Sequence, residues 1–219
     1  LKTPLAVHLQ GRPCVVVGGG AVAERRTGIL LHGGAAVTVL SPELTPGLRL
    51  RLEKGEFDYV EGSYEEEKFA EWFLQKPPFL VVAATNSRSV NERVFQQCKE
   101  VVPLINIVDN QAASTFHFPA VMEQGPLQIA VTTSGLSPLL GKKIVEELSE
   151  AYGEEYGVFL QRLGVLREKV LKEVEDSEVR REILKAVVNH KGIVEKFRQE
   201  KIEAGDNLIT EIVDKFTRN

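Results

Sequence analysis

Five short runs in the first half of the chain are apolar or β-branched, at residues 14–17, 37–40, 57–60, 79–84 and 104–108. Between them lie 21–32, 43–54, 65–75 and 87–100, where apolar positions recur at helical spacing. Strand, helix, strand at these intervals predicts parallel pairing through right-handed crossovers. The first, fourth and fifth runs are almost continuously apolar, as strands covered on both faces must be. The pattern therefore predicts a doubly wound α/β sheet.

The rhythm changes after Thr115. Residues 116–122 and 127–133 are strand-like and are joined by Glu123-Gln124-Gly125-Pro126, a turn sequence, which predicts a β-hairpin outside the parallel sheet. Ser137-Pro138 then supplies a helix N-cap and a proline for the first helical position. Beyond it the chain reads as helical to its end, with breaks expected near 176–177, 191–192 and 205–206. Val158, Leu160, Leu163, Leu166 and Val170 give one apolar and one charged face.

Composition narrows the function classes. With 43% hydrophobic and 26% charged residues among 219, neither a disordered nor a fibrous chain fits. A net charge of −4 argues against nucleic acid or an anionic membrane as the principal partner. No apolar run approaches the roughly 18 residues of a membrane span, and no basic-then-apolar leader opens the sequence. A soluble, cytoplasmic protein is expected. Cys14 and Cys98 fall in apolar stretches without metal-ligand or disulfide spacing, so both are expected in the core.

The first strand runs into Gly18-Gly19-Gly20-Ala21-Val22-Ala23 and then an amphipathic helix. This is GxGxxA in a strand-turn-helix setting, the mark of a Rossmann-like dinucleotide site. Gly18 permits the tight turn, Gly20 lets a pyrophosphate approach the backbone, and Ala23 lets the helix pack on the strand. The helix N-terminus offers N–H donors and the positive end of its dipole to the phosphates. Where an acidic ribose ligand is expected, after the second strand, stands Ser41-Pro42-Glu43. Serine can bond a ribose, and Glu43 reads either as a second ribose ligand or as a first-turn helix residue. No arginine stands beside Ser41 to meet a 2′-phosphate, which favours NAD over NADP. After the fourth strand, Thr85 and Asn86 bring polar groups to the crevice, where they either touch the cofactor or cap the next helix.

The fifth strand ends in Asn106-Ile107-Val108-Asp109-Asn110, which puts a carboxylate at the carboxyl edge of the sheet, beside the expected nicotinamide. Asp109 is thus a candidate proton acceptor, or else a turn former. His117 alternates with Phe116 and Phe118 and should face away from them, towards substrate or solvent. Thr133, Ser134 and Ser137 form a hydroxyl-rich loop entering a helix that carries Lys142 and Lys143. Such a loop suits an acidic ligand or is simple capping. His8, His32 and His190 lie in unrelated segments, so no fixed metal site follows.

The runs VVVGGGAVAERR, AATNS with Val90-Asn91, NIVDN, FHFPA and GPLQIAVTTSGLSP, followed by a helical tail, stand in one order along essentially the whole chain. This order resembles that of precorrin-2 dehydrogenases, including the amino-terminal half of sirohaem synthases and the stand-alone bifunctional dehydrogenase and ferrochelatase. The resemblance implies NAD-dependent oxidation of precorrin-2 to sirohydrochlorin and, in bifunctional members, insertion of ferrous iron to give sirohaem. It also implies a homodimer with interlocked subunits, divided into an NAD-binding Rossmann domain (1–112), a dimerisation region (113–145) and a helical carboxyl-terminal domain (146–219). A methyltransferase, carried by larger members, is expected to be lacking. By position, Gly18, Gly20 and Ala23 would hold the pyrophosphate, Ser41, Thr85 and Asn86 would neighbour the cofactor, and Asp109 would be the acid/base. Thr133 stands where some members have serine, so a role peculiar to serine does not carry over.

The substrate implied has eight carboxylates, for which Lys142, Lys143 and the N–H groups near Ser137 are candidates. Two rivals remain at this level. An NAD(H)-sensing regulatory module usually places an acid directly after the second strand and has no use for the TTSGLSP loop. A generic small-metabolite dehydrogenase predicts a larger catalytic domain with a histidine or lysine dyad.

Overall fold

The computed structural model describes residues 3–65, 69, 77–200 and 202–217. Its first strands and helices are β1 (Pro13–Val17), α1 (Ala21–His32), β2 (Ala36–Ser41), α2 (Pro46–Glu53) and β3 (Asp58–Glu61). They are followed by β4 (Leu80–Ala83), α3 (Arg88–Cys98) and β5 (Leu104–Ile107). The five strands pair in parallel in the order β3-β2-β1-β4-β5. The predicted helix at 65–75 lies, apart from Glu65 and Phe69, outside the described residues.

Period two along each strand sorts the side chains into two layers. Cys14, Val16, Val37, Val39, Leu80 and Val82 pack with Ala23, Leu30 and Leu48 of α1 and α2. Val15, Val17, Val81, Ala83, Ile105 and Ile107 pack with Val94 and Cys98 of α3. The two cysteines therefore sit in different layers as core residues, and burial pushes their thiols up to about 11 and about 12.

Two boundaries differ from the sequence pattern for identifiable reasons. The second helix starts at Pro46 rather than at 43, because the Thr45 hydroxyl accepts from the Leu48 N–H and proline pre-sets the first helical turn. Glu43 is thus a loop residue and not a first-turn one. The strand expected from 116 begins only at 120. Phe116 and Phe118 turn back onto the first layer, edge to face with ring centroids 4.9 Å apart, and the Arg26 guanidinium covers Phe118 at 4.3 Å. Along the open edge of β5, the hydroxyls of Thr115 and Ser114 accept from the N–H groups of Ile105 and Ile107, at 2.8 and 2.9 Å. They occupy donors that an edge strand would otherwise expose.

Contacts divide the chain into Leu1–Phe118 and Pro119–Asn219. The region expected over 113–145 is shared out accordingly, its first six residues going with the sheet. The second unit holds an antiparallel hairpin, β6 (Ala120–Gln124) with β7 (Leu127–Val131). The helices α4 (Pro138–Ala151), α5 (Glu154–Glu173) and α6 (Ser177–Val188) follow, then a 3₁₀ segment (Val194–Glu200) and α7 (Ile202–Thr217). Phe159, Leu166, Val170, Ile183, Val187, Ile193, Phe197 and Ile209 form its core. The break expected at 205–206 is absent, since Gly205 lies inside α7. A Cβ there would stand 2.3 Å from Cζ of Phe197, so this glycine serves close packing rather than chain termination.

Candidate active site

The strand registers set Val17 opposite both Leu40 and Ala83, Leu40 opposite Val60, and Ala83 opposite Ile107. All five strands therefore end in one row. The residues just beyond that row, Gly18, Ser41, Glu61, Thr85 and Asp109, come out on the same edge, where open parallel sheets bind ligands.

At the centre of that edge lies a cleft of about 560 Å³, lined by Gly18, Gly19, Gly20, Ser41, Glu43 and Thr45, with Thr85, Asn86 and other residues on its far side. The three glycines have different physical reasons. Gly18 has φ +120°, and a Cβ on it would stand 2.4 Å from the Ala84 carbonyl oxygen. A Cβ on Gly19 would lie 1.9 Å from the Glu43 carbonyl oxygen. Gly20 is different: a Cβ would meet nothing within 4 Å. It is the N-cap of α1, in extended conformation, with no side chain between the helix's first N–H groups and the cleft. Ala21 and Val22 open the helix, and Ala23, fully buried, packs it on the sheet. This cradle fits a pyrophosphate.

Of the other sequence candidates, Ser41 is buried and its hydroxyl donates to the Glu43 carbonyl oxygen at 2.7 Å, which shapes the loop after β2. Glu43 is exposed on the rim. Near it, Tyr59 donates to the Ser41 carbonyl oxygen at 2.8 Å. Burial, then the carboxylate of Glu61, with Glu43 adding to it against Arg49, raise this phenol above its ordinary range.

On the other side, Thr85 serves the helix: Ser87 caps α3, and the Thr85 hydroxyl accepts from the Ser87 N–H at 3.2 Å and donates to Asn91 Oδ1 at 2.7 Å. Asn86 is exposed to the cleft. Asp109 is exposed in the turn after β5, and its Oδ1 accepts from Asn91 Nδ2 at 3.0 Å. Asn91 is only 1% exposed, on the buried row Asn91, Val94, Cys98 of α3. A polar side chain on an apolar helical row is a signal the sequence contains. Thr45, Ser63 and Tyr64 line the cleft without having been singled out from sequence.

The remaining candidates are not among the residues that line the cleft. His117 is half-buried and outside any strand, so strand alternation does not set its direction. In the second unit, Thr133 Oγ1 accepts from the Ser137 N–H at 3.3 Å, and Ser137 Oγ accepts from the Leu140 N–H at 3.2 Å. Ser134 takes φ +54° in the turn between them. Capping thus uses two of the three hydroxyls. Lys142 and Lys143 are exposed one turn further on, the latter 3.8 Å from Glu147. Among the described residues no His, Cys, Asp and Glu cluster has the geometry to hold a metal ion, and no helix is long and apolar enough to cross a membrane.

Comparison with known proteins agrees with this geometry. Residues 5–120 match the family model described as putative NAD(P)-binding, and residues 124–151 match the sirohaem biosynthesis protein central model. Siroheme synthase of Photorhabdus laumondii is 33% identical over 85% of this chain and 38% of its own length. Siroheme synthase of Actinobacillus succinogenes is 32% identical over the same shares. The chain thus spans well under half the length of these relatives. A solved structure described as SirC, precorrin-2 dehydrogenase, superposes with a TM-score of 0.77 and 27% identity, over 96% of this chain and 100% of that one. With the first model covering more than half of its residues, the chain belongs to the NAD(P)-binding family represented by sirohaem synthases and precorrin-2 dehydrogenase.

Proposed function

We propose that this protein oxidises precorrin-2 to sirohydrochlorin, with NAD⁺ as acceptor, in the making of sirohaem. The observation that carries the reading is the shared edge: a glycine-lined dinucleotide cleft and the Asp109 carboxylate emerge from strand ends that the register aligns. The names of the relatives and of the solved structure support the choice of substrate. A bound nicotinamide supplies the acceptor for the hydride. Gly18, Gly19 and Gly20 hold the pyrophosphate at the N-terminus of α1, and Asn86 meets the cofactor across the cleft. Asp109 takes the proton that leaves with the hydride. Ferrous insertion into sirohydrochlorin releases two pyrrole protons, and the same carboxylate suits that step, with iron as a substrate.

Lys142, Lys143 and Ser134 are the groups we assign to the ring carboxylates, on charge and exposure. Leu136 and Leu139 stand 90% and 83% exposed in the same loop and first helical turn. We assign them to contact with a second copy in a homodimer. Two unpaired buried thiols fit a reducing compartment, which supports a cytoplasmic location. A regulatory module that only senses NAD(H) has no need of a proton acceptor after the fifth strand.

The test is anaerobic incubation of the protein with NAD⁺ and precorrin-2. NADH should accumulate in step with the sirohydrochlorin spectrum; binding of NAD⁺ without turnover would favour the sensing module. For the cofactor, the carboxylate of Glu43 on the rim, with Glu61 at the end of the adjoining strand, opposes a 2′-phosphate, so we assign NAD over NADP. Glu43→Gln together with Glu61→Gln should lower the KM for NADP about tenfold, equivalent to roughly 1.4 kcal/mol, while the KM for NAD moves little. Identical preference in the double variant would remove the rim as the determinant.

A further inference from the structure

Asn91, on α3, joins the segments that follow β4 and β5. Its Oδ1 accepts from the Thr85 N–H at 3.2 Å and from the Thr85 hydroxyl at 2.7 Å, and its Nδ2 donates to the Thr85 carbonyl oxygen at 3.2 Å. The second N–H of the same amide donates to Asp109 Oδ1 at 3.0 Å. An amide is what this place requires, because one end must accept and the other must donate. Buried to 1% exposure, it has no water to fall back on, so each of these bonds constrains its orientation.

Asp109, by contrast, is exposed in a turn, where a short side chain samples several rotamers unless something holds it. Among the described residues Asn91 is the one side chain bonded to it. The helix α3 and the end of β4 thus fix the carboxylate through a single amide, with one oxygen held and the other left for the proton. We propose that Asn91 is a positioning residue for the reaction: it aims Asp109 without itself touching substrate or cofactor. This rests on the reading of Asp109 as proton acceptor.

The pair can be tested by exchange. Asn91→Asp keeps the acceptor for Thr85 but sets a carboxylate against Asp109, turning a hydrogen bond into a like-charge contact. Turnover should fall about a hundredfold, the scale of a misplaced catalytic group, while the KM for NAD changes less than about twofold. The exchange variant, Asn91→Asp with Asp109→Asn, restores one donor and one acceptor. Its thermal midpoint should return towards the wild-type value, yet its turnover should be no lower than that of Asp109→Asn alone. This variant also keeps the test open if Asn91→Asp folds poorly.

Three results would overturn the proposal: wild-type turnover in Asn91→Asp, a proportionate loss of NAD binding with turnover, or a further hundredfold loss when Asn91→Asp is added to Asp109→Asn. Wild-type turnover in Asp109→Asn alone would instead remove Asp109 as proton acceptor.

Discussion

Gly20→Asp is expected to abolish dinucleotide binding in a protein that is folded as well as the parent or better. The two halves of this result have separate causes. A side chain at Gly20 meets no protein atom within 4 Å, and the backbone there, at φ −83° and ψ −176°, suits any residue. Aspartate is among the best N-caps and places its charge at the positive end of the α1 dipole, so the helix itself gains, by a few tenths of a kcal/mol over glycine. The same carboxylate then occupies the N–H donors and the space meant for a pyrophosphate, and repels it. A loss of affinity of at least about a hundredfold, roughly 2.7 kcal/mol, is expected. Calorimetric titration with NAD⁺ and a thermal melt on the same sample check both halves. Gly18→Ala and Gly19→Ala are the contrast: their methyl groups would collide with the backbone carbonyls of Ala84 and Glu43, so they should lower the melting temperature as well. Unaltered NAD⁺ affinity in Gly20→Asp would mean that the phosphates do not lie at this helix end.

The contrast among three adjacent glycines shows how far the sequence reaches. Spacing located the loop and the tight turn at Gly18, because a strand, a turn and a helix within a dozen residues leave little freedom. The tight contact of Gly19 with Glu43 depends on where the loop after β2 runs, and no local pattern holds that information. The same limit explains α2 and α7. Thr45-Pro46 is a legible helix start that lay just inside a longer apolar pattern, whereas Gly205 looks like a breaker until Phe197 is seen against it. The strands were readable because burial on both faces leaves continuous apolar runs such as 14–17 and 80–83. Phe116 and Phe118 misled for the opposite reason, since an aromatic alternation can serve a strand or a loop packed on a neighbouring core. At the site, Asp109 was visible from its place at a strand end. The amide that holds it was not, because Asn91 lies 18 residues away and becomes its neighbour only once α3 has packed on the sheet.

Asp109→Asn is expected to cut turnover by about 10² to 10⁴, the ordinary worth of a positioned general base, with NAD affinity unchanged. Asparagine keeps the shape and the turn preference of the residue it replaces, and its oxygen still accepts from Asn91 Nδ2, so the turn after β5 should hold. What disappears is the ability to accept a proton. The Asp109 side chain is exposed, so the substitution leaves no buried group without a partner, and the melting temperature should stay within a degree or two. Asp109 is not among the residues lining the dinucleotide cleft, and this separates the two readouts. A fall in turnover with constant NAD affinity marks an acid/base role. Parallel loss of both would mark a disturbed cleft, and loss of neither would return Asp109 to a turn former. The comparison with Gly20→Asp then becomes diagnostic: one substitution removes binding before any chemistry, the other removes chemistry from a protein that still binds. If both behave as expected, the cofactor and the proton acceptor act from the same row of strand ends, through elements that can be altered one at a time.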